Sequence, residues 1–194
     1  MKKFLIIILF FNLIYTHTYS IEPELFVQST VNKASQVLSK NISKEEKMNG
    51  LKIIAKETVD IKGIGFYSIG SARKNLNDNQ KRLYFDLFEN YFLKSFSSRL
   101  SEYTNPKIEV QSKKILNKNY TIVNSVLVGT PERPEIKIDW RVYTKNLDDP
   151  LIRDLIIEGL SLARTQKEEF ASILNSNDGD IKALFKTLEN FTKN

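Results

Sequence analysis

Few residues in this chain have the types and spacing that catalysis requires. The sequence of 194 residues contains no cysteine and a single histidine, His17. Because His17 lies in an N-terminal segment that we expect to be removed, the mature chain would lack both residue types. Catalytic triads, Cys-His nucleophiles and ordinary zinc sites are therefore not expected. Without cysteine no disulfide can form, so the fold must depend on a packed core.

The remaining acidic, glycine and serine residues do not form a recognisable reactive group. The acidic pairs at 45–46, 148–149 and 168–169 are sequence neighbours, so their side chains diverge and do not indicate paired acid-base chemistry. The glycines at 63, 65 and 70 match neither a dinucleotide-binding fingerprint nor a P-loop. Ser161 has no histidine to act as its base. We predict a protein that is not an enzyme and needs no cofactor or metal.

The first twenty residues have the pattern of an export signal. Lys2 and Lys3 precede an apolar run from Phe4 to Ile14, and small residues surround Ser20. An uncleaved anchor is the alternative, but eleven residues fall short of the roughly 20 needed to span a bilayer. We therefore predict cleavage after Ser20, with a signal peptide at 1–20 and one domain at 21–194.

Basic residues are concentrated in the N-terminal half of the mature chain. Between Lys40 and Tyr120 there are 16 basic and 9 acidic residues. Interspersed lysines are typical of a solvated helical face, and attraction to anionic lipid headgroups is the functional alternative. Nucleic acid is not an expected partner, because no aromatic-basic recognition motif occurs.

Apolar periodicity predicts helices in the first half of the chain. The first two are Glu22–Leu38 and a helix that begins with a capping box at Ser43 and Glu46. A short helix follows from Asp60 or Ile61 to Ile69. The longest, Asp78–Glu102, carries ten apolar residues, more than one stripe can hold, so it must be contacted on several sides.

After residue 106 the apolar period changes from 3.6 to 2, which predicts antiparallel strands near 108–110, 120–128 and 136–142. A last strand, 151–162, would bend at Glu158-Gly159, and helices at 166–174 and 180–191 would close the chain. This order predicts an α+β domain, with a curved antiparallel sheet packed on one face by helices. The aromatic helix and the sheet either form one core or leave a cavity between them.

Three segments resemble a known family. The run Gly63–Tyr103, the strand Ile138–Arg141, and Asp154 followed by Glu158-Gly159-Leu160-Ser161 resemble the MlaC-type, or toluene-tolerance auxiliary, family of periplasmic phospholipid-binding proteins. Two positions depart from the family pattern. Pro150 stands where members usually have tryptophan, and Arg153 where they usually have tyrosine or a similar residue.

The resemblance implies a nuclear-transport-factor-like cone with helical additions, in a monomeric periplasmic carrier that holds acyl chains between sheet and helices. It implies shuttling between an inner-membrane ABC transporter complex and an outer-membrane lipoprotein-porin complex, which maintains outer-membrane lipid asymmetry. At about 0.8 kcal/mol per CH₂, a lipid of roughly 30 methylenes meets a penalty on the order of 20 kcal/mol in water. Such a lipid needs a sheltered carrier, and release requires docking on a membrane complex.

The expected pocket wall combines apolar residues of the helices and strands with one arginine. For each apolar residue the alternative interpretation is a place in the ordinary core. For Arg141 the alternative interpretation is a surface salt bridge. Glu158 and Gly159 are interpreted as structural. The predicted lipid-binding residues are Ile64, Tyr67, Leu87, Phe88, Tyr91, Phe92, Val126, Ile138, Trp140, Arg141 and Val142.

Two other function classes remain open. One is an exported interaction module, or a binder of another apolar ligand such as a hopanoid or quinone. The other is an enzyme, because nuclear-transport-factor folds also house isomerases and dehydratases, although fold analogy is weak support for a function. An enzyme would need a buried acid such as Asp139 facing a tyrosine, whereas strand alternation places Asp139 opposite Trp140.

Overall fold

The computed structural model describes residues 21–131 and 133–193. The predicted signal peptide lies outside these residues. Within the described ranges, no helix combines the length and apolar content needed to cross a membrane. The helices are α1 Pro23–Ser39, α2 Lys44–Thr58, α3 Ile61–Ser68, α4 Asp78–Leu100, α5 Leu162–Asn175 and α6 Ile181–Lys193, with a 3₁₀ segment at Gly70–Asn75. The strands are β1 Ile108–Asn117, β2 Tyr120–Leu127, β3 Ile136–Tyr143, β4 Leu151–Ile157 and β5 Leu160–Ser161.

Local capping chemistry sets where the N-terminal helices begin. Capping boxes precede α2 and α4, formed by Ser43 with Glu46 and by Asn77 with Gln80. In each, the two residues accept each other's backbone N–H groups, which satisfies donors that have no partner inside the helix. The Asp60 carboxylate caps α3 by accepting the N–H of Gly63 at 2.8 Å. The predicted first four helices are confirmed.

The strands form one open antiparallel sheet in the order β1-β2-β3-β4-β5. Because side chains alternate along a strand, residues paired across strands share a face. Val123 pairs with Trp140 and Thr121 with Val142 on one face, whereas Ile122 pairs with Arg141 on the other. We call the first the α1 face, because Val27 and Val31 of α1 pack on it, and the second the cavity face.

The end of the sheet differs from the expected bent strand. Glu158 and Gly159 have φ values of 49° and 83° and link Ile157 to its partner Leu160. Two central residues with positive φ make the tight hairpin turn that suits antiparallel strands. Helix α5 then begins at Leu162, four residues before the predicted start at 166, because Ser161 caps it by accepting the N–H of Arg164.

Two apolar clusters, which both contact Val59, stabilise the domain. The helical cluster joins α3, α4, α5 and α6 around Tyr84, Phe88 and Phe170. The sheet cluster joins α1 to the α1 face, with Val123 and Val142 fully buried. This arrangement confirms the α+β class, and the position of α1 on the far face of the sheet is an addition that the sequence did not predict.

Candidate functional site

A cavity of about 490 Å³ opens between α3, the start of α5 and the cavity face of the sheet. On the helical side it is lined by Gly63, Ile64, Tyr67, Arg73 and Ala163, and on the sheet side by Leu116, Asn117, Tyr120, Arg141 and Arg153. The lining therefore combines apolar, aromatic and cationic side chains. Such a mixture of apolar wall and a few polar groups is typical of a small-molecule site.

Arg153 lies in the cavity wall because of a β-bulge. Arg141 pairs with Asp154 and Val142 pairs with Ile152, so Arg153 is the extra residue on β4. A bulge breaks the alternation of the strand and re-aims one side chain. At this position Arg153 lines the cavity and 30% of its side chain is exposed. We call the solvent-exposed end of the cavity, lined by Arg73, Arg141 and Arg153, the mouth.

Three groups hold the guanidinium of Arg153 in place. Its Nε donates to Asp60 Oδ2 at 2.6 Å, its Nη1 donates to Tyr120 Oη at 2.6 Å, and its Cζ lies 3.7 Å from the centroid of the Tyr143 ring. Burial lowers the pKa of Arg153, but the hydrogen bonds to Tyr120 and Asp60 outweigh it and the pKa is raised. Arg153 is therefore a fixed and permanently charged group at the mouth.

Asp60 connects the helical layer to the sheet. One carboxylate oxygen caps α3 through Gly63 and the other accepts from Arg153. The backbone N–H of Asp60 also donates to the carbonyl of Ile152 at 2.9 Å. The α2–α3 junction is thus attached to β4 by both side chain and backbone, which closes one edge of the cavity.

The carboxylate of Asp154 is buried next to Arg141, the other arginine of the sheet that lines the cavity. This carboxylate is 1% exposed and accepts from the Ser161 hydroxyl at 2.6 Å and from the N–H of Ala163 at 2.9 Å. The positive end of the α5 dipole adds to this stabilisation of the charge. Asp154 and Ser161 of the sequence motif thus fix where β5 ends and α5 begins.

The guanidinium of Arg141 has fewer hydrogen-bond partners than that of Arg153. Its Nη1 lies 3.5 Å from Asp154 Oδ2, and its Nε is buried with no hydrogen-bond partner among the described residues. A buried donor without an acceptor is costly. The guanidinium therefore has unused hydrogen-bonding capacity beside the cavity.

The cavity face also has two buried apolar residues outside the cavity lining. Ile122 and Val126 lie on this face and are 8% and 5% exposed. Neither belongs to the helical cluster or the sheet cluster described above. Between them on the same face, Asn124 donates to Asp139 at 2.8 Å, so this part of the face is mixed in polarity.

The predicted site residues occupy three different places. Ile64, Tyr67 and Arg141 line the cavity, and Val126 lies on the same sheet face. Leu87, Phe88, Tyr91 and Phe92 belong to the helical cluster. Ile138, Trp140 and Val142 lie on the α1 face in the sheet cluster, where the Trp140 Nε1 donates to Ser125 Oγ at 2.8 Å.

Several cavity residues escaped the sequence analysis. Arg153 and Leu116 both lie at irregularities of strand pairing, which alternation does not reveal. The departure of Arg153 from the family pattern was the one available signal for its position. Asp139, the candidate acid for an enzyme, is half-buried and accepts a hydrogen bond from Asn124 at 2.8 Å. Across residues 21–131 and 133–193, no group of three potential metal ligands occurs.

Comparison with known proteins assigns the family. The MlaC protein family matches residues 28–190. The chain belongs to the MlaC family. The match includes α2 to α5, all five strands and most of α1 and α6, so every residue that lines the cavity lies within the matched region. No curated protein matches the chain.

A solved structure has the same fold. It is the phospholipid-binding protein from Ralstonia solanacearum, determined in complex with a phospholipid. The two chains superpose with a TM-score of 0.73 at 16% sequence identity, over 88% of this chain and 96% of the other. At this identity the likeness establishes the fold of the MlaC-family chain.

Proposed function

We propose that this MlaC-family protein is a phospholipid-binding carrier, with acyl chains lying between the cavity face and the helical layer. The observation that carries the proposal is the cavity of about 490 Å³ between the helical layer and the cavity face, where Ile64, Ala163 and Leu116 supply apolar wall beside the arginines. The phospholipid in the Ralstonia protein of the same fold supports the choice of ligand.

The size of the cavity limits what enters without rearrangement. A methylene group takes up about the same volume as a water molecule, about 30 Å³. A cavity of about 490 Å³ therefore holds on the order of one acyl chain. A two-chain lipid therefore requires the helical layer to separate further from the cavity face of the sheet. Val59 packs against both apolar clusters and Asp60 is bonded to Ile152 and Arg153 of β4, so the two layers stay joined at the α2–α3 junction.

The wider function is proposed from membership of the MlaC family. We place the protein in the periplasm, exported by cleavage after Ser20, with residues 21–194 forming the lipid-binding domain. It would act as a monomer and carry lipid between an inner-membrane ABC transporter and an outer-membrane lipoprotein-porin complex, maintaining outer-membrane asymmetry. Because releasing acyl chains into water is strongly unfavourable, transfer occurs by docking on these complexes. No catalytic step or resident cofactor is part of the proposal.

Filling the cavity from one helix tests the proposal. Ala163 lines the cavity and is 8% exposed, whereas Ala171 lies on the same helix and is exposed. Ala163→Leu and Ala163→Phe should reduce phospholipid uptake from vesicles progressively, with about a tenfold loss of affinity for Phe. Ala171→Phe should leave uptake unchanged. Uptake is measured by native mass spectrometry after incubation with vesicles.

The stability of the lipid-free variants provides the control. Filling real empty space leaves the unfolding midpoint in urea unchanged or raised, whereas overpacking a filled core lowers stability by about 1–3 kcal/mol. Unchanged lipid uptake in a folded Ala163→Phe protein would contradict the proposed binding mode.

A further inference from the structure

The mouth of the cavity carries more cationic hydrogen-bonding capacity than the protein itself uses. Arg73, Arg141 and Arg153 all line it, and they come from the 3₁₀ segment and two different strands. The carboxylates that contact Arg153 and Arg141, Asp60 and Asp154, also accept backbone N–H groups at helix starts. The net charge of these five groups is positive.

Arg141 and Arg153 are held in different ways, but each has N–H donors that no protein group among the described residues accepts. A guanidinium has five N–H donors. Arg153 commits one to Asp60 and one to Tyr120, so three remain for a ligand. The buried Nε of Arg141 has no hydrogen-bond partner among the described residues, and its Nη1 forms an ion pair with Asp154 at 3.5 Å. Arg153 is thus rigid, whereas Arg141 has an unmet need for an acceptor.

We propose that Arg141 and Arg153 form an oxyanion subsite that binds a phosphodiester at the mouth and favours anionic lipid headgroups over zwitterionic ones. The inference rests on the proposed lipid binding and adds headgroup selectivity to it. Guanidinium groups match the geometry of phosphate oxygens. A zwitterionic headgroup brings an ammonium close to the same cations, whereas a glycerol headgroup does not.

Arg153 adds a second cation to the one that Arg141 supplies, and Asp60, Tyr120 and Tyr143 hold it in place. Because Arg153 is fixed on Tyr143 before any ligand arrives, little side-chain entropy is lost on binding. Selectivity should therefore depend on Arg153 and Arg141, with exposed Arg73 making a smaller contribution.

Lipid competition tests the subsite. The lipid-free protein is incubated with vesicles of equal phosphatidylglycerol and phosphatidylethanolamine, repurified, and its lipid identified by mass spectrometry. We expect about fivefold enrichment of phosphatidylglycerol, as partly exposed ion pairs contribute about 1 kcal/mol. Arg141→Gln and Arg153→Gln should abolish the enrichment, which is read as the ratio of the two lipids in the bound fraction. Arg82→Gln removes one charge from an exposed position of α4 and should preserve the enrichment.

A second arm separates the subsite from lipid binding itself. Binding of inorganic phosphate to the lipid-free protein is followed by ³¹P NMR in the wild type and in Arg141→Gln. If the protein binds the two lipids in the same proportions as they have in the vesicles, the subsite is overturned and the proposed lipid binding stands. Arginine-dependent phosphate binding without lipid uptake would retain the subsite and overturn the proposed function. Absence of lipid uptake together with absence of arginine-dependent phosphate binding would overturn both.

Discussion

Replacement of Phe88 by alanine should lower the free energy of unfolding by about 4 kcal/mol. Phe88 is fully buried, and its ring centroid lies within 6.3 Å of the rings of Tyr84, Tyr91, Phe92 and Phe170. Truncation removes the centre of this cluster and leaves a void that four rings cannot fill by small movements. Urea denaturation of the lipid-free protein, followed by circular dichroism, measures the loss.

An exposed phenylalanine of the same cluster region provides the control. Phe191 on α6 is 41% exposed and packs edge-on against Tyr91, so Phe191→Ala should cost about 1 kcal/mol. A loss near 1 kcal/mol for Phe88→Ala in the lipid-free protein, growing only when lipid is bound, would mean that Phe88 contacts ligand rather than core.

Replacement of Asp154 by alanine should lower the free energy of unfolding by about 3 kcal/mol. The substitution removes the acceptor for both the Ser161 hydroxyl and the N–H of Ala163, which are the contacts that start α5. It also leaves Arg141 without its nearest acid. Since Ala163 lines the cavity, lipid uptake should fall together with stability.

Two further variants separate the hydrogen bonds from general effects of charge. Asp154→Asn retains a carbonyl that can accept from Ala163, so its loss should be smaller than that of Asp154→Ala. Asp149→Ala removes an exposed acid a few residues away and should change stability by about 0.5 kcal/mol or less. Equal losses for Asp154→Ala and Asp149→Ala would refute a capping role for Asp154. Both are measured by urea denaturation.

The elements that follow local rules were predictable from the sequence. Capping boxes at Ser43 and Asn77 act through residues three apart, so the starts of α2 and α4 needed no knowledge of the tertiary fold. The alternation of β3 was equally clear. The start of α5 was missed because its cap, Ser161, is held by Asp154 across a hairpin turn, and that contact depends on the fold.

The cavity depends on information that periodicity does not contain. Alternation shows that Trp140 and Arg141 face opposite sides of the sheet, but not which side is covered by α1 and which faces the helical layer. The bulge that exposes Arg153 arises from pairing between β3 and β4. The buried residues of α4 and those of a ligand wall have the same composition, so the sequence could not separate them.

The most direct test of lipid binding is to identify what the protein carries when it is purified. Residues 21–194, expressed in a Gram-negative periplasm and purified without detergent, are analysed by native mass spectrometry and by organic extraction with lipid identification. The account predicts one phospholipid per protein monomer, displaced in Ala163→Phe. A ligand-free monomer that also takes up no lipid from vesicles would contradict it.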